Sequence, residues 1–429
     1  MAADRSKKIK MNKINNFHAS TATDIEDRSC YVLTNFSQIL KQILIGLPVK
    51  SLNSCARVCK IWDDAVQKIK KLRCPYYWNY FEGEEVSPDS QKLLLESIQF
   101  TIENLPIEPE TMLVYYTSVL LDTTCTSATV STKSRSKRKI QKECSDVSEF
   151  FQNLLPRSCQ TTAVAADGIV GTSSSLKKTK EFENKCALSF ICFSKQSTFS
   201  FHSIQLDVKQ GTKLGELWNS NEETSCSNFI PPGETVQSVL FFSDDVTCPQ
   251  ELGFALYKEY NQPLIAGGFV DSLVFPSLLH DINHKHDLPT ICCVALCGEM
   301  VKIASIIIKD DVCDKPAVEA CMKELKSHNL PEERSFAFMF ACVGRGENHY
   351  GEADVESVIF RKYFPKTPLL GLFGNGEVGF KYPLPPIVSK EIDGTKIHDF
   401  VNDSRRYLTR HPPKLYHAYT TVLCLVSLP

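Results

Sequence analysis

No stretch of this 429-residue chain is both long and apolar. Its most apolar runs, such as ASIII at 304–308 and VLCLV at 422–426, fall far short of the roughly 20 residues a membrane-spanning helix needs. An excess of one charge is also lacking: 48 Lys and Arg against 50 Asp and Glu leave a net charge of -2. The chain as a whole is therefore not built to gather nucleic acid or to cling to an acidic membrane. The opening MAADRSKKIKMNKINNF has no apolar core, so no secretory signal is expected. Among 18 cysteines there is no Cys-x-x-Cys. They are expected as free thiols in a reducing compartment. The tightest group, Cys292, Cys293 and Cys297 in ICCVALC, has Val, Ala and Leu for neighbours. That setting suits a buried strand rather than a zinc site, because paired ligand knuckles are missing. Also absent are Gly-x-Ser-x-Gly, His-Glu-x-x-His and the phosphate-loop pattern. A pairing of Cys342 with His349 or His417 stays open, since catalytic triads assemble in space rather than in sequence.

What is present divides the chain. Apolar residues make up 43%, enough to fill the cores of two or three domains. Residues 1–29 are polar and aperiodic and read as a disordered tail. Over 31–75 the pattern turns helical. Phe36, Ile39, Leu40, Ile43, Leu44 and Leu47 follow helical spacing, and Gly46 and Pro48 stop the run. Leu52, Cys55, Ala56 and Cys59 continue the stripe, followed by Trp62, Ala65, Val66 and Ile69. Three short helices are expected there. Residues 76–90 read as a linker. A first mixed region spans 91–275, with a Ser/Thr/Lys-rich insertion at 122–146, and a second spans 276–429. The fold class is α+β: a three-helix unit, then a two-part mixed α/β region with β-hairpins and packed helices. TICCVAL and VKIASIII, separated by CGEM, read as one such hairpin. A loose duplication within 90–429 is left open.

One pattern invites a nucleotide. Gly374-x-Gly376-x-x-Gly379 has dinucleotide-binding spacing behind an apolar run. The phosphate, however, needs a helix after the glycines. Pro383, Pro385 and Pro386 forbid one, so the glycines are expected to make a tight turn.

Two resemblances rest on quoted motifs. VLTNFSQILKQILIGLPVKSLNSCARVCKIWDDAV, with Leu47-Pro48, Leu52 and Val58-Cys59-Lys60 before Trp62, resembles an F-box. The resemblance implies a three-helix adaptor for the Skp1 linker protein, which joins a cullin and a RING subunit in a ubiquitin ligase. It places Leu33, Ile39, Leu40, Ile43, Leu47, Pro48, Leu52, Val58, Cys59 and Trp62 at or behind that interface. FMFACVGRG, FRKYFPKTPLLGLFGNGEVG and HAYTT are similar to the C-terminal FIST domain, a sensory or ligand-binding module. DGIVGTS and PLIAGGFVD resemble its N-terminal half.

These resemblances imply a non-catalytic substrate receptor, a scaffold that raises the concentration of substrate lysines near a conjugating enzyme. Protein substrates, including chromatin and transcription regulators, and a nuclear and cytoplasmic setting follow from the resemblance. No metal or cofactor is expected, and no membrane or direct nucleic-acid contact. Two alternatives remain: a small-ligand sensor that gates partner binding, and a cysteine-dependent enzyme. The candidate substrate- or ligand-binding site is Cys342, Gly344, Arg345, Gly346, Gly376, Glu377 and His417, with no catalytic residue assigned. The glycines would let a ligand approach the backbone, and Arg345 would offer a fork to a carboxylate or lower the pKa of Cys342. His417 alone on a strand suits a structural role better than a ligand role. Finally, Lys133, Arg135, Lys137, Arg138 and Lys139 lie in a basic run without acidic neighbours, which suits a nuclear signal or a solvated loop.

Overall fold

The computed structural model describes residues 37–83, 88–122, 149–216, 229–248, 250–275, 289–384 and 412–429. The tail at 1–29, Leu33 and the basic run at 133–139 lie outside them, as does nearly all of the 122–146 insertion. Two compact units separate: the chain up to Cys74 together with Glu103–Glu108, and Pro75–Ile102 together with Pro109–Pro429.

In the smaller unit the expected three helices form: α1 (Ser37–Ile45), α2 (Val49–Ala56) and α3 (Lys60–Leu72). Leu40, Leu44, Leu52, Val66 and Ile69 make one buried cluster, with Leu47, Cys55, Ala56, Trp62 and Ala65 packed against it. A later segment completes it. The Val49 N–H donates to the Leu105 carbonyl at 2.9 Å. The Arg73 guanidinium donates to the carbonyls of Ile45 at 3.0 Å, Leu47 at 2.6 Å and Pro106. Helix ends leave such carbonyls without partners in their own helix, so Arg73 caps α1 from the end of α3.

In the larger unit the residues expected to be a linker begin with a strand. β1 (Tyr76–Glu82) is rich in aromatic residues, which favour strands. It runs antiparallel to β6 (Ala187–Phe193) along its full length. Around it a single scheme appears three times. The first round is β1, α4 (Pro88–Glu103), β2 (Thr111–Thr117), α5 (Ser118–Asp122) with a helical stretch at 149–154, β3 (Gln160–Ala166) and β6. The second is β7 (Ser200–Leu206), α6 (Val208–Glu216), β8 (Val236–Ser243), α7 (Gln250–Glu259), β9 (Leu264–Phe269) and β11 (Ile291–Cys297). The third is β12 (Lys302–Ile308), α8 (Lys315–Ser327), β13 (Ser335–Cys342), α9 (Glu347–Tyr350), α10 (Val355–Tyr363), β14 (Leu369–Gly374) and β17 (Thr421–Ser427).

Each round makes a sheet with two antiparallel pairs and one parallel pair: β1-β6-β2-β3, β7-β11-β8-β9 and β12-β17-β13-β14. Each sheet is then extended by strands from another round. β10 (Ser272–Val274), of the second round, adds to β3. β15 (Glu377–Val378) and β16 (Tyr416–His417), of the third, add to β9. β4 (Gly168–Thr172) and β5 (Thr179–Glu183), of the first, add to β14. The exchange closes on itself. It answers the open question of duplication with a threefold repeat, and it carries strands across the expected boundary at 275/276. The expected hairpin of β11 with β12 does not form. β7 and β8 occupy both edges of β11, so β12 pairs with β17 in another sheet.

Aromatic rings from all three sheets meet in the shared core. Tyr115 lies 6.1 Å from Phe242 and 6.2 Å from Phe338, and Phe242 lies 5.7 Å from Phe340. Phe193 touches Phe201 at 4.2 Å and Phe336 at 5.2 Å between ring centres.

The parallel pairs also repeat a glycine. Gly267 sits opposite Phe241, and Gly371 opposite Met339, both at φ 151°. A Cβ there would lie 1.9 Å from the Phe241 oxygen and 1.8 Å from the Met339 oxygen. Ala163 opposite Val114 holds the same place in the first round. Gly371→Ala should lower stability in urea by on the order of 3 kcal/mol, whereas Ala163→Gly should cost about 1 kcal/mol or less. An unchanged midpoint for Gly371→Ala would show that the repeated geometry is not needed.

Candidate functional site

The ordinary helical stripe of the smaller unit divides in two. Along α1, Leu40 and Leu44 are buried, while Ile39 and Ile43, also four residues apart, are 41% and 50% exposed. Val58, between α2 and α3, is 64% exposed and Ile61, in the first turn of α3, 47%. Cys59 is exposed, and Leu47, Pro48 and Trp62 are half-buried. Among the residues expected at an interface, Leu40 and Leu52 thus support from within. Ile39, Ile43, Val58 and Cys59 face outward. Ile61 was not among the expected residues. It follows Lys60 at the start of α3, and its exposure depends on how α3 packs.

The second candidate region gathers several sequence-chosen residues, but not as a pocket for a carboxylate. β13 ends at Cys342, and the chain turns through Gly344 into Arg345. The Arg345 side chain is buried with every N–H engaged. Nε donates to Glu356 Oε1 at 2.9 Å. One terminal nitrogen donates to the carbonyls of Lys309 at 2.9 Å and Tyr419 at 3.1 Å. The other donates to the Val312 carbonyl at 3.2 Å and to the Tyr350 hydroxyl. Tyr350 in turn donates to Glu356 Oε1 at 2.6 Å. Arg345 is the centre of an internal network and leaves no N–H for a ligand. Its proposed action on Cys342 is also corrected. Burial, with the nearby Glu377 charge, pushes the Cys342 thiol up, away from the thiolate form.

Glu377, on β15, is buried. Its Oε2 accepts from the Thr420 N–H at 3.0 Å and the Thr420 hydroxyl at 2.7 Å. Burial raises its pKa. His417 pairs with Glu377 across the strands. Its Nε2 faces the carbonyls of Gly379 at 2.9 Å and Lys414 at 3.2 Å, so this nitrogen carries the proton. Burial lowers the His417 pKa, and the ring is a structural donor. His349 is likewise engaged, with the Val312 carbonyl at 2.9 Å. Gly376, at φ 128°, turns β14 into β15, and among the described residues no helix follows it; the glycine pattern is a turn, as expected. Gly346, at φ 76°, lets Glu183 approach: a Cβ there would lie 2.2 Å from Glu183 Oε1.

Together Arg345 and Glu377 clamp the loop between β16 and β17. They hold the Tyr419 carbonyl and Thr420, and the Cys342 N–H donates to the Thr420 carbonyl at 3.0 Å. Tyr419 sits in the left-handed region at φ 59° and is 65% exposed. Its ring packs over Gly344, where a Cβ would lie 3.1 Å from Cδ1. The arrangement offers a fixed aromatic surface and no activated nucleophile. Sequence reasoning missed Glu356, Tyr350 and Thr420, since nothing in their spacing marks them as partners of Arg345 or Glu377.

A third buried carboxyl group stands beside this network. Glu181 Oε1 accepts from the Ser357 N–H at 2.8 Å. Burial, reinforced by the negative charge of Glu356, pushes its pKa up to about 8.

Fold and site define a class: a small helical unit with outward apolar side chains, and a threefold-repeated α+β region. No family model matches the chain. It is homologous along nearly its whole length to F-box only protein 22. The protein of that name from Homo sapiens is 28% identical over 425 residues, covering 95% of this chain and 96% of the relative. The one from Pongo abelii matches with the same identity and coverage. Among solved structures, a cyanuric acid hydrolase from A. caulinodans aligns with 82% of this chain and 98% of its own at 7% identity and a TM-score of 0.35; at that score it carries no argument. No helix among the described residues is long and apolar enough to cross a membrane.

Two outcomes follow. Arg345→Lys, with three donors in place of five, should destabilise the fold by about 3–5 kcal/mol, measured by denaturant unfolding. A wild-type midpoint would show that the network is dispensable. Glu181 keeps a proton in the folded state that the unfolded chain loses near its ordinary value of 4.5. Stability should therefore fall as pH rises from about 5 to about 8, by at most about 1.4 kcal/mol per pH unit for such a group. Glu181→Gln should flatten that slope in unfolding curves taken across the range.

Proposed function

We propose that this chain is the substrate-recognition subunit of a Skp1–cullin–F-box ubiquitin ligase. The observation that carries the reading is the similarity to F-box only protein 22 over 95% of the chain. It runs through both the helical unit and the repeated region. The exposed apolar side chains support it: Ile39, Ile43, Val58 and Ile61 lie outside the unit's own core. A partner helix would gain by covering them, through desolvation rather than chemistry. Skp1 is the partner proposed for this face, with a cullin and a RING subunit beyond it.

The repeated region then holds the protein to be ubiquitinated and brings its lysines near the conjugating enzyme, for degradation by the proteasome. Its part is positioning, which raises effective concentration without a catalytic group of its own. The rigid surface around Tyr419 is the proposed place for substrate contact. Chromatin and transcription regulators are the proposed substrates, in nucleus and cytoplasm. The support for a nuclear setting is the basic run at 133–139.

The test separates the two regions. Ile43→Asp and Val58→Asp together change exposed positions, so the fold should persist. In affinity capture from cells, this double variant should lose Skp1 and cullin by at least about tenfold, the effect of about 1.4 kcal/mol. Proteins held by the repeated region should stay. Equal capture of Skp1 by the variant and the parent chain would rule out the proposed interface.

A further inference from the structure

One end of the β7 sheet gathers three different metal-ligating side chains. Ser200 and His202 lie two residues apart on β7 and so share a face. Cys297 is the register partner of Ser200 on the adjacent β11. Directly paired residues also share a face. On its other side, Cys297 is paired with Val236 at a register shift, and Glu234 lies two residues before Val236. The pairing alone therefore brings His202, Cys297 and Glu234 to one place.

There, one donor atom from each lies within 4.8 Å of the other two. His202 Nε2 is 2.8 Å from Glu234 Oε2. Ser200 Oγ lies 3.1 Å from the same imidazole nitrogen and donates to the same carboxylate oxygen. The Cys297 sulfur lies within 4.8 Å of a Glu234 carboxylate oxygen. The cluster is closed on the protein side and open on the other. Cys297 is buried, whereas the His202 and Glu234 side chains are 20% and 31% exposed. A cavity of about 430 Å³ lies against it, lined by Ser200, Glu234 and Cys297 together with Thr198, Phe199 and Met300.

We propose that His202 Nε2, Glu234 and Cys297 Sγ form a Zn²⁺-binding site with three protein ligands and a fourth position open to this cavity. A mixed nitrogen, oxygen and sulfur set suits a borderline-soft ion, and three protein ligands with one open position make a tetrahedral zinc site. Ligand atoms around tetrahedral zinc stand roughly 3.5 Å apart. Binding an ion requires side-chain rotations that bring the three atoms, now within 4.8 Å of one another, to that spacing. The thiol proton leaves to solvent as the zinc–sulfur bond forms. Ser200, already bonded to Glu234, orients the carboxylate from behind. The cavity leaves room for water or a small anionic or neutral ligand on the ion. All three cysteines are buried on β11, as the sequence leads one to expect. Cys292 and Cys293 are buried strand thiols whose pKa values burial raises, but Cys297 faces two further ligands that lie far away in sequence.

The full-length chain, stripped with a chelator and titrated with Co²⁺ as a spectroscopic stand-in for Zn²⁺, tests the assignment. One equivalent should produce a thiolate-to-cobalt charge-transfer band with intense tetrahedral visible bands, and Zn²⁺ should displace both. Cys297→Ser should abolish the charge-transfer band. His202→Ala, at a partly exposed position that the fold tolerates, should weaken binding on the order of 100-fold, as should Glu234→Gln. Far-ultraviolet circular dichroism confirms that each variant is folded. No band at one equivalent would overturn the site. So would a band kept in full by His202→Ala and Glu234→Gln, since the metal would then sit on other thiols.

Discussion

No sheet of the larger unit is finished by its own stretch of chain. β10 completes the first sheet from the second round, β15 and β16 complete the second from the third, and β4 and β5 complete the third from the first. An open strand edge leaves backbone donors and acceptors unpaired, so each round depends on a neighbour for its hydrogen bonds. The shared aromatic core, built from Tyr115, Phe242, Phe338 and Phe340, ties the same three rounds together from inside. Long-range pairing of this kind makes the unit fold as a whole rather than in halves.

That constraint places the chemistry. The exchange of β15 and β16 into the second sheet carries Glu377 and His417 with it, and the return to β17 sets the loop that Arg345 and Glu377 clamp. Arg345 is worth burying because five acceptors, one of them the Glu356 carboxylate, surround it. An unpaired buried guanidinium would be far too costly. The residues that a linear motif offers for ligand capture are thereby committed to holding a loop. What reaches solvent is the Tyr419 ring, held on that clamped loop.

The helical unit obeys a different balance. So few residues cannot bury every apolar side chain that helical spacing supplies. Leu40, Leu44, Leu52, Val66 and Ile69 fill the core, and the neighbouring positions Ile39 and Ile43 are left outside. The similarity to F-box only protein 22 gives this leftover surface a meaning that a core argument alone does not.

The sequence was readable wherever a signal is local. Periodicity located α1 to α3 and most strands of the repeated region, prolines after Gly379 ruled out a nucleotide helix, and glycine spacing marked the turn at Gly376. It read β1 as part of a linker, because the strand is defined by its pairing with β6, more than 100 residues away, and not by an apolar alternation of its own. It also paired β11 with β12, because adjacency in sequence is a hairpin signal that competition for strand edges overrides. The threefold scheme was hidden, since it resides in connectivity while the side chains have diverged: Ala163, Gly267 and Gly371 occupy one position. So the sequence alone determined which segments are helical or extended and where an amphipathic helical stripe begins, since those follow from spacing along the chain. Tertiary structure alone decided which side chains meet: Arg345 with Glu356, Glu377 with Thr420, and His202 with Glu234 and Cys297. Their proximity depends on strand pairings between segments that carry no local record of each other.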